Sequence, residues 1–195
     1  MMMTNRAILI SIKPRHDKNI LNGIKTLEIR KKFPKDYVGW VYIYCTKSGD
    51  KLYAYGLDDE KKSYNIGCGT DLLNGKVVAR FWCDKVEEIK YHFGYYDMGE
   101  WTESYILENA CLTAEELDNY LQASKEYDEK KISKVYGYAI HINDLEIFDK
   151  PKEISEFLVF SHIVDGVDAH NQPKQFKILK HITRPPQSWC YIENI

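Results

Sequence analysis

The chain of 195 residues lacks the long apolar runs that membrane-spanning segments require. No stretch approaches the roughly 18 consecutive apolar residues of a transmembrane helix. The first residues, MMMTNRAILISIKP, contain only a short apolar run and no small-residue cleavage site, so they do not match a secretory signal peptide. We therefore expect a cytoplasmic protein that does not insert into a membrane.

Cysteine and histidine are few and scattered. The five cysteines are odd in number and never form a CxxC pair, which excludes a disulfide framework or a zinc knuckle and predicts free thiols in a reducing cytoplasm. The six histidines show no HExxH or paired spacing. The sequence therefore predicts no metal site, and we expect no cofactor.

Other local signatures of catalysis are missing as well. The chain contains no GxSxG motif, and no cysteine has a catalytic sequence around it. The stretch GCG at 67–69 lacks the lysine and the strand–helix context of a phosphate-binding loop, so it predicts a turn. There is no internal repeat and no low-complexity tract.

Aromatic residues and unevenly placed charges are what the sequence does have. Apolar residues make up 44% and aromatic residues 13%, with fifteen tyrosines, which is enough to bury a core. Residues 1–35 carry nine Lys and Arg against two acids, residues 171–195 carry four against one, and the centre is acidic. If the ends meet they form a basic patch suited to phosphate-bearing ligands; otherwise they are solvated faces.

Hydrophobic periodicity predicts six or so short strands with two or three helices, without βαβ alternation. The predicted strands lie at about 7–13, 26–32, 38–45, 76–90, 134–142, 145–151 and in the last residues. The predicted helices lie at about 15–22, at 113–122 with a capping box of Thr113 and Glu116, and briefly within 153–160. Residues 91–101 are expected to be an aromatic loop. The fold class is therefore α+β, with a mixed or barrel-like sheet.

The segment 22–34, NGIKTLEIRKKFP, places one carboxylate among several cations. Alternation puts Leu27 and Ile29 on one face of a half-buried strand and Glu28 and Arg30 on the other, while Gly23 ends the preceding helix. Three roles for Glu28 remain open: a catalytic base, an ion pair that orients neighbouring cations, or a surface charge.

Six stretches in order along the chain resemble the ASCH domain, a branch of the PUA-like superfamily. They are ILISIKP with ILNGIKTLEIRKKFP, then VYIYCT, GKVVARFWCDKV, GYAIHI and RPPQSWCYI. Within them the pattern GxKxxExR falls on Gly23, Lys25, Glu28 and Arg30. The resemblance covers most of the chain.

This resemblance implies a single domain over 1–195, with a PUA-like mixed β-barrel flanked by short helices. Residues 46–75 would form an insertion on the rim, and 159–180 a second insertion. The implied function is binding of RNA or a nucleotide in a basic cleft centred on GxKxxExR. Two alternatives stay open: a hydrolase in the same cleft, acting as a ribonuclease or on a modified nucleoside, and a protein-interaction module.

One ASCH relative is an acetylcytidine amidohydrolase that uses a lysine, a threonine and a glutamate. The resemblance carries its lysine to Lys25 and, loosely, its glutamate to Glu108. Its threonine falls on Glu28, and a carboxylate cannot form the acyl intermediate that a threonine hydroxyl forms. If the chain is an enzyme, its catalytic residues would thus be Lys25, Glu28 and Glu108.

The expected ligand cleft also draws on both ends of the chain. Alternate positions of the first strand place Ser11 and Lys13 on one face, and the family pattern includes this stretch. In the tail, cationic, polar and stacking side chains suit a phosphate and a base. The candidate ligand-binding residues are Ser11, Lys13, Lys25, Glu28, Arg30, Arg184, Gln187, Ser188 and Trp189.

Overall fold

The chain packs as two units in the computed structural model, which describes residues 6–55, 65–66, 69–123 and 134–193. The first unit comprises Met1–Pro14, Trp40–Arg80 and Ile147–Ile195. The second comprises Arg15–Gly39 and Phe81–Glu146. The chain therefore passes between the units several times, and the single domain over 1–195 stays a prediction.

The described residues form fifteen strands and three α-helices. The strands are β1 Arg6–Ile12, β2 Leu27–Arg30, β3 Gly39–Cys45, β4 Tyr53–Tyr55, β5 Asn65–Ile66, β6 Asp71–Leu72, β7 Val77–Cys83, β8 Val86–His92, β9 Tyr95–Met98, β10 Trp101–Thr102, β11 Val135–His141, β12 Asn143–Lys152, β13 Leu158–Val167, β14 Pro173–His181 and β15 Trp189–Glu193. The helices are α1 Pro14–Leu21, α2 Glu103–Ala110 and α3 Ala114–Leu121, with a short 3-10 helix at Ile154–Glu156.

A five-stranded mixed sheet in the order β12-β7-β3-β1-β15 supports the first unit. Strand β1 lies parallel to β3 and antiparallel to β15. A strand paired on both sides and covered on both faces needs mostly apolar side chains, which explains the apolar run AILI at 7–10 in β1. The mixed sheet agrees with the fold class predicted from the sequence.

The core of the first unit is rich in aromatic rings. Tyr42 and Phe157 are fully buried with ring centroids 5.3 Å apart in an edge-to-face arrangement, and Phe148 packs against the same tyrosine at 6.2 Å. Aliphatic side chains from β1, β7 and β15 complete the cluster: Ala7, Leu9, Val77 and Ile192. This packing holds the two ends of the chain in one unit.

Two smaller sheets occupy the regions predicted as insertions. In 46–75, β4 pairs with β5 and β6, and the buried amide of Asn74 ties the segment down. It donates to the carbonyl oxygens of Thr46 at 3.0 Å and Asp50 at 2.8 Å, and accepts from the amide of Leu52 at 2.8 Å. In 159–180, β13 and β14 form a long two-stranded hairpin. Their status as insertions on a barrel rim stays a prediction.

The second unit contains a five-stranded sheet in the order β10-β9-β8-β11-β2, together with α2, α3 and nearly all of α1. Its core includes Leu27 and Ile29 from β2, Ile89 from β8 and Ile106 from α2. The capping box predicted at the start of α3 is confirmed, because Thr113 Oγ1 accepts from the amide of Glu116 and the carboxylate of Glu116 accepts in return.

Three local predictions are wrong. The strand expected at 76–90 breaks at Asp84 and Lys85 into β7 and β8, which belong to different sheets. Residues 91–101 form β9 and β10 rather than a loop. The helix expected within 153–160 is a single 3-10 turn, after which β13 begins.

Four of the five cysteines lie in the described residues, and all four are free thiols: Cys45, Cys83, Cys111 and Cys190. Burial raises the pKa of the Cys83 thiol to about 12. Cys68 and the glycine turn at 67–69 fall partly outside the described residues. Within the described ranges, no helix combines the length and the apolar character needed to cross a membrane.

Candidate functional site

The turn after α1 places Lys25 in the second unit. The helix ends at Leu21, and Gly23 adopts a φ of +71°, a left-handed conformation that glycine reaches without steric cost. The turn directs the amides of Ile24 and Lys25 to the carbonyl of Asn19, at 2.8 and 3.0 Å. This confirms the role predicted for Gly23.

Lys25 is almost completely buried at the C-terminus of α2. Its ammonium group donates to the carbonyl oxygen of Ala110 at 2.7 Å and lies 3.3 Å from Glu28 Oε2. Only 2% of its side chain is exposed. A cation at this position also interacts favourably with the partial negative charge of a helix C-terminus. Lys25 therefore joins the start of β2 to the end of α2.

Glu28 lies between two cations. Its Oε1 is 2.9 Å from Arg30 Nη2, and its Oε2 faces Lys25. Burial alone raises the pKa of the Glu28 carboxyl, but the positive charges of Lys25 and Arg30 outweigh burial and hold the pKa below its usual value. A carboxylate held in its ionised form accepts a proton poorly, so this geometry suits orientation of the cations better than general-base catalysis.

The sequence predicted a half-buried β2, and this prediction is wrong. Leu27 and Ile29 face the apolar core as expected, but Glu28 on the other face is only 6% exposed. An alternating pattern predicts that the polar face of the strand meets water. Instead, the polar face is covered and its charges neutralise one another.

Lys25, Glu28 and Arg30 form an ionic cluster. His16 interacts electrostatically with Lys25 and Glu28 of this cluster, and the sequence analysis missed it. It lies on α1 four residues before the buried Ile20, and this spacing places both on one face of the helix. The spacing of His16 and Ile20 was the sequence signal that could have predicted that His16 faces the interior. Burial and the neighbouring Lys25 lower the pKa of His16, which favours the neutral imidazole.

Ser11 and Lys13 belong to the first unit and have different environments. Ser11 is buried, its hydroxyl donates to the carbonyl of Pro186 at 2.7 Å, and its amide donates to the carbonyl of Ser188 at 2.8 Å. Lys13 follows β1 and is exposed. Ser11 therefore holds the tail segment in place, while Lys13 presents its charge to solvent.

The tail residues also lie in the first unit. Arg184 and Gln187 are exposed, and Ser188 is partly buried. Trp189 begins β15 and packs edge-to-face against Tyr191, with ring centroids 5.5 Å apart. The structure thus brings Ser11 close to the tail and brings Lys25, Glu28 and Arg30 together. That both groups line one cleft stays a prediction.

Glu108 lies within α2. Its side chain is exposed, whereas Lys25 and Glu28 are buried. Among the described residues, Glu108 makes no ion pair with Lys25. In the same part of the chain, no group of three or more His, Cys, Asp and Glu is arranged to hold a metal ion.

Comparison with known proteins identifies the fold. No family model matches the chain, and no curated protein matches it. A crystal structure of ASCH from Zymomonas mobilis is similar to this chain, with a TM-score of 0.51 and 14% sequence identity. The match covers 96% of this chain and 87% of the Zymomonas mobilis chain. A ZmASCH mutant protein from the same organism matches 76% of each chain, with a TM-score of 0.45 and 14% identity. The first likeness shows that the chain has the fold of the ASCH domain, as its motifs predicted.

Proposed function

We propose that the chain is an ASCH-family protein that binds RNA or nucleotides, with a ligand site at the GxKxxExR segment of the second unit. The ASCH-type fold supports the family, and the sequence motif supports the position of the site. The arrangement of charge and aromatic surface around this segment carries the proposal.

The positive charges of Lys25 and Arg30 neutralise the negative charge of Glu28 within the protein. Glu28 therefore does not repel an anionic ligand at the surface. The next cations, Lys31, Lys32 and Lys35, are exposed. Lys31 lies 5.8 Å from the ring centroid of Tyr120, which is 39% exposed on α3. Exposed cations beside an accessible aromatic ring can contact phosphates while the ring stacks on a base.

Fluorescence anisotropy with a labelled single-stranded RNA tests the proposal. Lys31→Ala/Lys32→Ala/Lys35→Ala should weaken binding and reduce the slope of log affinity against log salt by about 2, since each phosphate contact on a single strand contributes about 0.7. The matched control is Lys18→Ala/Lys51→Ala/Lys150→Ala, which removes three exposed lysines elsewhere. Equal slopes for the two variants, or no binding by the wild type at low salt, would contradict the proposal.

The hydrolase alternative has less support from the positions of its expected residues. Lys25 is buried in contacts with Ala110 and Glu28, and Glu108 is on an exposed face of α2. Hydrolysis of acetylcytidine that Lys25→Ala abolishes, in a variant that remains folded, would favour the enzyme. For the protein-interaction alternative, residues 56–64 and 67–68 of the segment 46–75 lie outside the described residues.

A further inference from the structure

A groove on the first unit combines positive charge with aromatic surface. It lies beside the edge strand β15, at the base of the hairpin β13–β14, and has a volume of about 770 Å³. Its lining includes Arg6, Phe160, Lys180, Arg184 and Tyr191. We call it the β15 groove. None of these residues belongs to the GxKxxExR segment.

The charges of the β15 groove favour an anionic ligand. Arg6, Lys180 and Arg184 supply three cations, against one acid in the lining, Glu193. All three cations are exposed. In the described part of the chain, neither Lys180 nor Arg184 has an ion-pair partner, so both can contact phosphate without breaking an existing pair.

The aromatic side chains of the groove are accessible and supported. Tyr191 is 40% exposed. Phe160 is equally exposed, but it pairs with Leu179 and so belongs to the other face of the hairpin. Trp189 supports the Tyr191 ring edge-to-face, and the guanidinium of Arg6 lies 6.0 Å from the centre of that ring. A ring fixed in this way offers a surface on which a nucleobase can stack.

One face of β14 extends this surface beyond the groove. Alternation places Lys174, Phe176, Ile178 and Lys180 on the same face, and the Lys174 ammonium lies 5.8 Å from the centre of the Phe176 ring. The two lysines are six residues apart, which corresponds to about 20 Å along a strand. Lys177 lies on the other face of β14 and pairs with Ile163 of β13. The face therefore places two apolar side chains between two cations, over the length of several nucleotides.

We propose that the β15 groove and this face of β14 form a second binding surface for single-stranded nucleic acid. A base stacks on Tyr191, the phosphates beside it contact Arg184 and Lys180, and a phosphate further along the strand contacts Lys174. The inference rests on the proposed RNA-binding function but uses residues of the other unit.

Anisotropy with the same labelled RNA tests this surface residue by residue. Tyr191→Leu should weaken binding by about 5- to 150-fold, as expected for loss of one stacked base, and Tyr191→Phe should bind like the wild type. Lys174→Ala/Lys180→Ala/Arg184→Ala should reduce the salt slope by about 2. Lys177→Ala, an exposed lysine on the same strand but the opposite face, should leave the slope unchanged.

The outcomes separate the two proposals. Normal binding by the Tyr191→Leu and Lys174→Ala/Lys180→Ala/Arg184→Ala variants, with loss only in Lys31→Ala/Lys32→Ala/Lys35→Ala, overturns the second surface and keeps the proposed function. The reverse pattern keeps the second surface and overturns the site at GxKxxExR. Absence of RNA binding by the wild type overturns both. A change of oligomeric state in Tyr191→Leu with unchanged RNA affinity assigns the groove to protein contact and also overturns the inference.

Discussion

Replacing Glu28 by glutamine removes the charge between two cations while keeping nearly the same side-chain shape. The Lys25 side chain is 2% exposed, that of Glu28 8% and that of Arg30 11%, so water cannot take over the role of the carboxylate. Removing one partner of a buried ion pair costs about 3–5 kcal/mol, whereas an exposed pair contributes about 0–1 kcal/mol. We therefore expect Glu28→Gln to lower the free energy of unfolding by about 3–5 kcal/mol.

Urea unfolding followed by tryptophan fluorescence measures this loss, and its pH dependence identifies the cause. The folded chain holds the pKa of Glu28 below its usual value, so the unfolded chain takes up a proton first as the pH falls. The contribution of Glu28 is therefore complete above about pH 4.3 and declines below it. Glutamine does not titrate, so the difference between wild type and variant should narrow in acid.

A double-mutant cycle with Lys25→Met shows whether the two residues interact directly. The 3.3 Å contact predicts a coupling energy above about 1 kcal/mol between Lys25→Met and Glu28→Gln. A cost below 1 kcal/mol for Glu28→Gln, with no change between neutral and acidic pH, would refute a buried ionic cluster. Additive effects would refute the direct contact.

Two further substitutions test buried polar contacts. Asn74→Ala removes three hydrogen bonds to the backbone of 46–52 and should lower the free energy of unfolding in urea by about 2–4 kcal/mol. Asn143 is exposed, so Asn143→Ala should lower it by less than about 1 kcal/mol. Equal losses in the two variants would contradict the role of Asn74. Tyr96→Phe loses the 2.8 Å bond to Asp118 and should cost about 1–3 kcal/mol. Burial raises the pKa of Tyr96, so the free energy of unfolding of the wild type should fall above about pH 10, where the unfolded tyrosine ionises. The stability difference between the wild type and Tyr96→Phe should therefore narrow at high pH. A difference that stays constant would contradict this.

Strands were predictable from the sequence where their composition alone indicates that both faces are buried. The run AILI at 7–10 in β1 and the run WVYIYC at 40–45 in β3 are continuously apolar or aromatic, which indicates burial on both faces. The helix α2 was missed because ESYILENA gives a weak start signal: Thr102 occupies the N-cap position but makes no side-chain capping bond. The break after Cys83 was missed because the β-rich pattern continues through it.

The ionic cluster was only partly predictable for a similar physical reason. Alternation correctly placed Glu28 and Arg30 on one face of β2. The burial of this face depends on elements distant in the sequence, such as α2, whose carbonyl at Ala110 receives the Lys25 ammonium group. A pattern within thirteen residues contains no information about that cover.

The bond between Lys25 and Ala110 has a consequence for the order of folding. It joins residues 85 apart in the sequence, whereas the turn at Gly23 and the helix before it involve only near neighbours. Closing so long a loop carries an entropic cost that local structure avoids, so we expect α1 and its turn to form before the cluster is complete. Weakening the cluster should then speed unfolding more than it slows folding. The motif segment would thus contribute to how long the folded chain persists before it unfolds.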